Sequence, residues 1–314
     1  MTIKFFSVLV FLVFFTQMLS EKQPETMAQL GEQLFFDRML SKDYTLSCAS
    51  CHKKEFAFAD TTAFSLGIHG QRVLRNAPSV MNMMFRPYFF YDGRAATIQD
   101  QVMIPIESDQ EMGLSMDSLI LRLKKSKYND WFVELTQKEP DTNSITEALS
   151  AFVFSLESDG SAAFDRWMRG DTSAMTAQQI LGREIFNNKG KCFDCHFSPD
   201  FTGDEFRNIG LFNNTAAFQD PGRFKVTADS SDIGKFKVPG LRNIAVTAPY
   251  MHNGFLNTLE EVVDYYNDPS VFLKNALNRD SLLSEPLGLT LQEKKALVAF
   301  LKALTDEQYV SLLD

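Results

Sequence analysis

All four cysteines of this 314-residue chain fall in two copies of one pattern, Cys48-Ala-Ser-Cys51-His52 and Cys192-Phe-Asp-Cys195-His196. C-x-x-C-H is the attachment signature of a c-type haem. Its two thiols add to the porphyrin vinyl groups, and the adjoining imidazole ligates the iron. A zinc ribbon would bring its cysteine pairs within about 15–20 residues of each other, whereas these pairs begin at positions 48 and 192. A thioredoxin-type redox pair would leave both histidines unexplained. The motifs therefore predict two covalent haems, with Cys48, Cys51, Cys192 and Cys195 as thioether anchors and His52 and His196 as iron ligands.

The sequence repeats itself around the motifs. Leu30-Gly-Glu-Gln-Leu-Phe35 precedes the first and Leu181-Gly-Arg-Glu-Ile-Phe186 the second. Ala148-Leu-Ser-Ala-Phe152 follows the first half, and Ala296-Leu-Val-Ala-Phe300 the second. Helix starts are marked by Ser or Thr followed three residues later by Glu or Gln: Thr26/Gln29, Ser144/Glu147, Thr176/Gln179 and Thr290/Glu293. Leu297, Phe300, Leu301 and Leu304 share one helical face. A glycine in the first helix of each half admits a crossing helix. The pattern resembles the helix crossing of small cytochrome c domains. It predicts an all-α chain of two cytochrome c-like domains, 21–165 and 166–314, with one covalent haem each. Glu157-Ser-Asp-Gly-Ser161 would join them, and stretches such as 200–250 would be long irregular loops around haem.

Residues 1–20 carry Lys4 and then an apolar run from Phe5 to Phe15, ending near Ser20. This predicts a secretory signal peptide and a periplasmic protein. The run is shorter than the ~20 apolar residues of a membrane-spanning helix, although a retained anchor is the alternative. Apolar residues at 45% and charged residues at 23% fit a folded soluble chain, and the net charge of −9 argues against nucleic acid as a partner.

Five further stretches carry a resemblance to a known family. They are Leu46-Ser-Cys-Ala-Ser-Cys-His52, Arg75-Asn-Ala-Pro-Ser79, Tyr91-Asp-Gly-Arg-Ala95, Lys237-Val-Pro-Gly-Leu-Arg-Asn243 and Thr247-Ala-Pro-Tyr-Met-His-Asn-Gly254. In order and spacing they resemble the bacterial di-haem cytochrome c peroxidases and their relative MauG, across essentially the whole mature chain. The resemblance implies hydrogen peroxide as substrate at the first haem. It implies Glu111 as the proton shuttle, Gln101 as a hydrogen-bonding partner of peroxide, and Pro105 as part of the same pocket. It implies His69 as a gate that ligates the far side of the first iron at rest. It implies Tyr91 as an aromatic between the haems, where relatives commonly carry Trp. It also implies a calcium site from Asn76, Thr247 and Pro249, whose hard oxygens suit Ca²⁺ when water completes the shell.

The main departure lies at the second haem, where the best-known peroxidases use methionine, which raises the potential. No methionine follows Met251. The matching position is Tyr266, as in MauG, with Met251 as the competing ligand. The resemblance implies a di-haem peroxidase fed by a small redox protein, a cytochrome c or a cupredoxin, with a homodimer among its assemblies. A MauG-type oxidase that modifies a partner protein or organic substrate through high-valent haem is the rival. A non-catalytic di-haem electron carrier is the third reading.

Overall fold

A computed structural model describes residues 22–213, 215 and 218–313. The expected signal segment, 1–20, lies outside the described residues. Among the described residues no helix is long and apolar enough to cross a membrane.

The chain is mostly helical with little sheet. The helices are α1 (Met27–Phe36), α2 (Ile98–Glu107), α3 (Met116–Lys124), α4 (Lys127–Thr136), α5 (Thr142–Ser155), α6 (Ala163–Met168), α7 (Ala177–Asn187), α8 (Phe224–Thr227), α9 (Leu259–Asn267), α10 (Pro269–Phe272) and α11 (Leu291–Lys302). Among the described residues one antiparallel pair of strands, β1 (Phe206–Arg207) with β2 (Phe236–Lys237), interrupts the loops, with Phe206 opposite Lys237. Strands of two residues leave no periodicity to read in a sequence.

Local chemistry sets most helix starts. Thr26, Thr176, Thr258 and Thr290 cap α1, α7, α9 and α11, each hydroxyl accepting from the backbone N–H three residues on. At α5 the cap is Asp141, not the Ser144 read from the sequence. Ser144 sits at the third helical position, where its hydroxyl accepts from the Asp141 N–H. A carboxylate at Asp141 suits the positive end of the helix dipole, so the helix starts three residues earlier.

Each half is built on one close helix crossing, α1 on α5 and α7 on α11. A Cβ on Gly31 would collide with the carbonyl oxygen of Ala148, and one on Gly182 with that of Ala296. Phenylalanines pack edge to face beside each crossing, Phe35 on Phe152 at 5.1 Å and Phe186 on Phe300 at 5.2 Å. Gly182→Val is expected to destabilise the chain by about 3 kcal/mol, because the branched side chain would push the helices apart. An unchanged urea unfolding midpoint would contradict this.

A second repeat, not read from the sequence, sets the joint between the halves. Phe89 pairs with Ala95, and Tyr250 with Leu256. Phe90 and Met251 take the left-handed φ of 63° and 74°, and Gly93 and Gly254 take 69° and 60°. The joint itself is reciprocal. The Asn76 N–H donates to the His252 carbonyl at 2.8 Å, and the Lys237 N–H to the Tyr91 carbonyl at 2.7 Å. Asn82 and Asn243 then tie each half to the end of its last long helix, accepting from the backbone N–H of Ser158 at 2.9 Å and of Asp306 at 2.8 Å.

Candidate active site

Both motif histidines are oriented from behind by carbonyl oxygens. His52 Nδ1 lies 3.1 Å from the oxygens of Phe58 and Pro78, and His196 Nδ1 lies 2.8 Å from that of Phe201. A carbonyl only accepts, so Nδ1 carries the proton and Nε2 keeps its lone pair for a metal. Burial pulls both imidazoles below the ordinary histidine range and keeps them neutral. All four thiols are free of disulfides. Burial pushes the Cys48 and Cys192 thiols up to about 12.

One continuous cavity of about 880 Å³ reaches both motifs, lined by Cys51 and His52 on one side and by Cys192, Cys195 and His196 on the other. That is near the upper end for small-molecule sites. Free thiols and an imidazole with an open Nε2 are the donor set that covalent haem requires, so the residues fit the group at both motifs.

Gln101 and Pro105 lie four residues apart on α2, on one face, and both line the cavity. Glu111 joins them because the chain folds back after α2. The Glu111 N–H donates to Ser108 O at 2.9 Å and the Met112 N–H to Pro105 O at 3.1 Å. An adjoining pocket of about 70 Å³ brings Gln101, Pro105 and Glu111 together with Cys48, Cys51 and His52. Among the described residues, the Glu111 carboxylate and the Gln101 amide have no hydrogen-bond partner. Burial raises the Glu111 carboxyl above its ordinary value, against a smaller opposing pull from Arg94.

His69 stands elsewhere. It is exposed, has a φ of 67°, and is not among the residues lining the cavity. Its loop is fastened to the Glu111 loop, with the Ile68 N–H donating to Glu111 O at 2.8 Å and Gln71 Nε2 to Asp109 O at 2.7 Å.

At the second motif, the last turn of α9 carries Tyr265 and Tyr266. Tyr265 is fully buried and its hydroxyl donates to Ile209 O at 2.6 Å. Tyr266 lines the cavity, and its hydroxyl has no hydrogen-bond partner among the described residues. Its phenol is raised by burial, then by Tyr265 and the motif thiols, and stays protonated at neutral pH unless something binds it. Met251 lines the same cavity.

The joint between the halves is aromatic and charged. His252 stacks on Phe236 at 3.8 Å and 15°, and its edge meets Tyr91 at 6.5 Å. Burial, aided by Arg75 and opposed by Asp220, pushes His252 down to about 4. Arg75 donates to Asp92 at 2.6 Å and grips Asp220 with two nitrogens at 2.7 and 3.1 Å. Buried Asn76 donates to Thr62 O at 3.0 Å, and Asn76, Thr247 and Pro249 all line the cavity. The sequence reading missed Phe236, Asp92 and Asp220. For Asp92 the available signal was the parallel between Tyr91-Asp-Gly and His252-Asn-Gly, each leading to a helix-capping threonine.

Residues 25–173 match the family model described as di-haem cytochrome c peroxidase. The chain is 35% identical over 310 residues to cytochrome-c peroxidase IdrP2 of Denitromonas iodatirespirans, covering 90% of this chain and 82% of that protein. It is 37% identical over 293 residues to methylamine utilization protein MauG of Methylorubrum extorquens, covering 90% and 79%. A solved MauG-like protein associated with microbial copper homeostasis superposes with a TM-score of 0.81 at 32% identity, over 91% of each chain. The chain therefore belongs to the di-haem cytochrome c peroxidase and MauG family, as a peroxidase-type oxidoreductase for which that family implies two haems.

Proposed function

We propose that this chain reduces hydrogen peroxide to water in the periplasm, with electrons from a small redox protein such as a cytochrome c or cupredoxin. The observation that carries the reading is the convergence of Gln101, Pro105 and Glu111 on the pocket of His52, with the carboxylate and the amide both unpaired. One haem would sit in 21–165 on His52 and one in 166–314 on His196, with Tyr266 as the second ligand there. When bound, the first haem supplies an iron that holds peroxide and takes up its oxidising power. Glu111 accepts the proton of the near oxygen and returns it to the far one, which leaves as water. Its raised pKa suits both transfers, since an acid–base group works best near the operating pH. The Gln101 amide donates to the bound peroxide. The surface position of His69 supports a first site that is open at rest. Tyr91 and His252 offer an aromatic path across the joint. Asn76, Thr247 and Pro249 would hold Ca²⁺ with water.

A second reading, an oxidase acting on a partner protein, is favoured by the unpaired Tyr266 hydroxyl. Bound through its phenolate, which is hard and anionic, Tyr266 would make the second haem a poor high-potential store of electrons. Peroxide given with reduced cytochrome c or cupredoxin separates the two. Steady oxidation of the donor supports the peroxidase; oxidised haem without donor turnover supports the oxidase. Neither event would leave an electron carrier. Tyr266→Met is expected to raise the reduction potential of one haem, as methionine does for cytochrome c. Unchanged potentials in a spectroelectrochemical titration would reject Tyr266 as ligand.

A further inference from the structure

We propose that hairpin 65–73, which carries His69 at its tip, is a fixed clamp that positions Glu111 and not a moving gate. The inference rests on the acid–base role given to Glu111 above. A carboxylate engaged by a protein donor gives up the lone pairs that take a proton, so a free one has to be held through its backbone. The hairpin supplies that hold. Leu66 pairs with Arg72, the Gly67 N–H donates to Gln71 O at 2.8 Å, and the Val73 N–H donates to Ser65 O at 3.0 Å. One side of it grips the segment after α2. The Ile68 N–H donates to Glu111 O at 2.8 Å, and Gln71 Nε2 donates to Asp109 O at 2.7 Å. The Ile68 side chain is buried. Two glycines make room for this approach. A Cβ on Gly67 would lie 1.9 Å from the carbonyl oxygen of Gln110, and one on Gly113 would lie 2.4 Å from Ile68 Cδ1.

The foot of the hairpin is fastened to the first motif. Buried Ser65 donates its hydroxyl to the buried carboxylate of Asp60. Lys53, the residue after His52, donates to the same carboxylate at 2.7 Å. The Asp60 N–H donates to Ala77 O at 3.0 Å, one residue before Pro78, whose carbonyl stands behind His52. The hairpin therefore joins the imidazole motif at one end to the Glu111 backbone at the other. Its tip takes no part in the grip. His69 and Gly70 have left-handed φ of 67° and 75°, both are exposed, and a Cβ on Gly70 would meet open space.

The test uses the haem-loaded protein. Gly67 has a φ of −79°, which alanine accepts, so Gly67→Ala acts by pushing the Glu111 segment away. It is expected to lower kcat/KM for hydrogen peroxide at least about tenfold, since about 1 Å of misplacement can cost about a hundredfold. In a Glu111→Gln background the same substitution is expected to cost less than about twofold more, because changes that act through one group are not additive. Amide hydrogen exchange gives a readout free of turnover. The Ile68 N–H is expected to exchange equally slowly in the oxidised and the one-electron-reduced protein. In Gln71→Ala it is expected to exchange at least about fivefold faster, and this carries the test whether or not Gly67→Ala folds. Wild-type kcat/KM in Gly67→Ala, full additivity with Glu111→Gln, wild-type exchange in Gln71→Ala, or Ile68 protection lost on reduction overturns the inference. Wild-type kcat/KM in Glu111→Gln alone instead overturns the role beneath it.

Discussion

Glu111→Gln is expected to lower kcat/KM for hydrogen peroxide about 10²–10⁴-fold, the usual worth of a positioned acid–base group. Glutamine keeps the size of the side chain, so the pocket with Gln101, Pro105 and His52 keeps its shape. What it loses is the ability to take a proton and return it. The pH dependence carries the same information with a definite sign. The first transfer needs the carboxylate, so activity falls as pH drops through the Glu111 pKa. Burial holds that pKa above the ordinary carboxylate value of 4.5. Wild type should therefore lose activity on acidification earlier than an exposed glutamate would predict, and the variant should lack that limb. Equal rates and equal pH profiles for the two proteins would remove Glu111 from the chemistry.

The second large effect concerns stability. Arg75→Met is expected to cost about 3–5 kcal/mol, the range for removing one member of a buried ion cluster. The Arg75 side chain is 12% exposed, and its partners Asp92 and Asp220 are 6% and 19% exposed. Methionine keeps the packing over Phe236 but leaves both carboxylates without their shared cation. Arg94 at 3.0 Å from Asp92 and Lys225 at 3.4 Å from Asp220 remain, but both are more exposed and replace it only in part. Asp220 also sets the pH dependence. Burial alone would raise its carboxyl, yet the Arg75 hydrogen bonds and charge hold it well below the ordinary aspartate range. A depressed carboxylate stabilises the fold above its unfolded pKa, and that contribution is lost as pH falls through the folded one. The gap between wild type and Arg75→Met should thus be full at pH 7 and narrow below about pH 4. Urea unfolding at the two pH values measures it; a constant gap contradicts the assignment.

Much of this was legible in the residues, and what was not has physical reasons. The Cys-x-x-Cys-His motifs speak through chemistry local to five residues, so they needed no fold. The threonine caps and helix-face glycines are equally local, and they mark α1, α7 and α11. Asp141 displaced Ser144 because two adjacent capping signals compete, and a capping pattern does not say which wins. Glu111 alone reads as a loop acid; its place beside Gln101 depends on the chain turning back after Pro105. The resemblance implies His69 at the first iron; its side chain is exposed, on a loop whose neighbours Ile68 and Gln71 bond to Glu111 and Asp109, and no sequence pattern shows that placement. Phe236 and Asp220 carry no motif, and the motif that holds Asp92 does not name its partners, since an ion cluster and a ring stack between distant segments exist only once both halves meet.

The reciprocal pairing of Asn76 with His252 and of Lys237 with Tyr91 is the contact a homodimer makes across its twofold axis. These two backbone bonds are counterparts of each other, and Tyr91 meets its own counterpart, His252, edge-on. In that sense the two halves of the chain stand to each other as the protomers of a dimer do. A true homodimer must carry the same residue at both copies of any position, so its two metal centres are held alike. A single chain is free of that constraint. One half can then carry residues that the other lacks, as α2 offers Gln101 and Pro105 to the cavity where α9 offers Val262 and Tyr266.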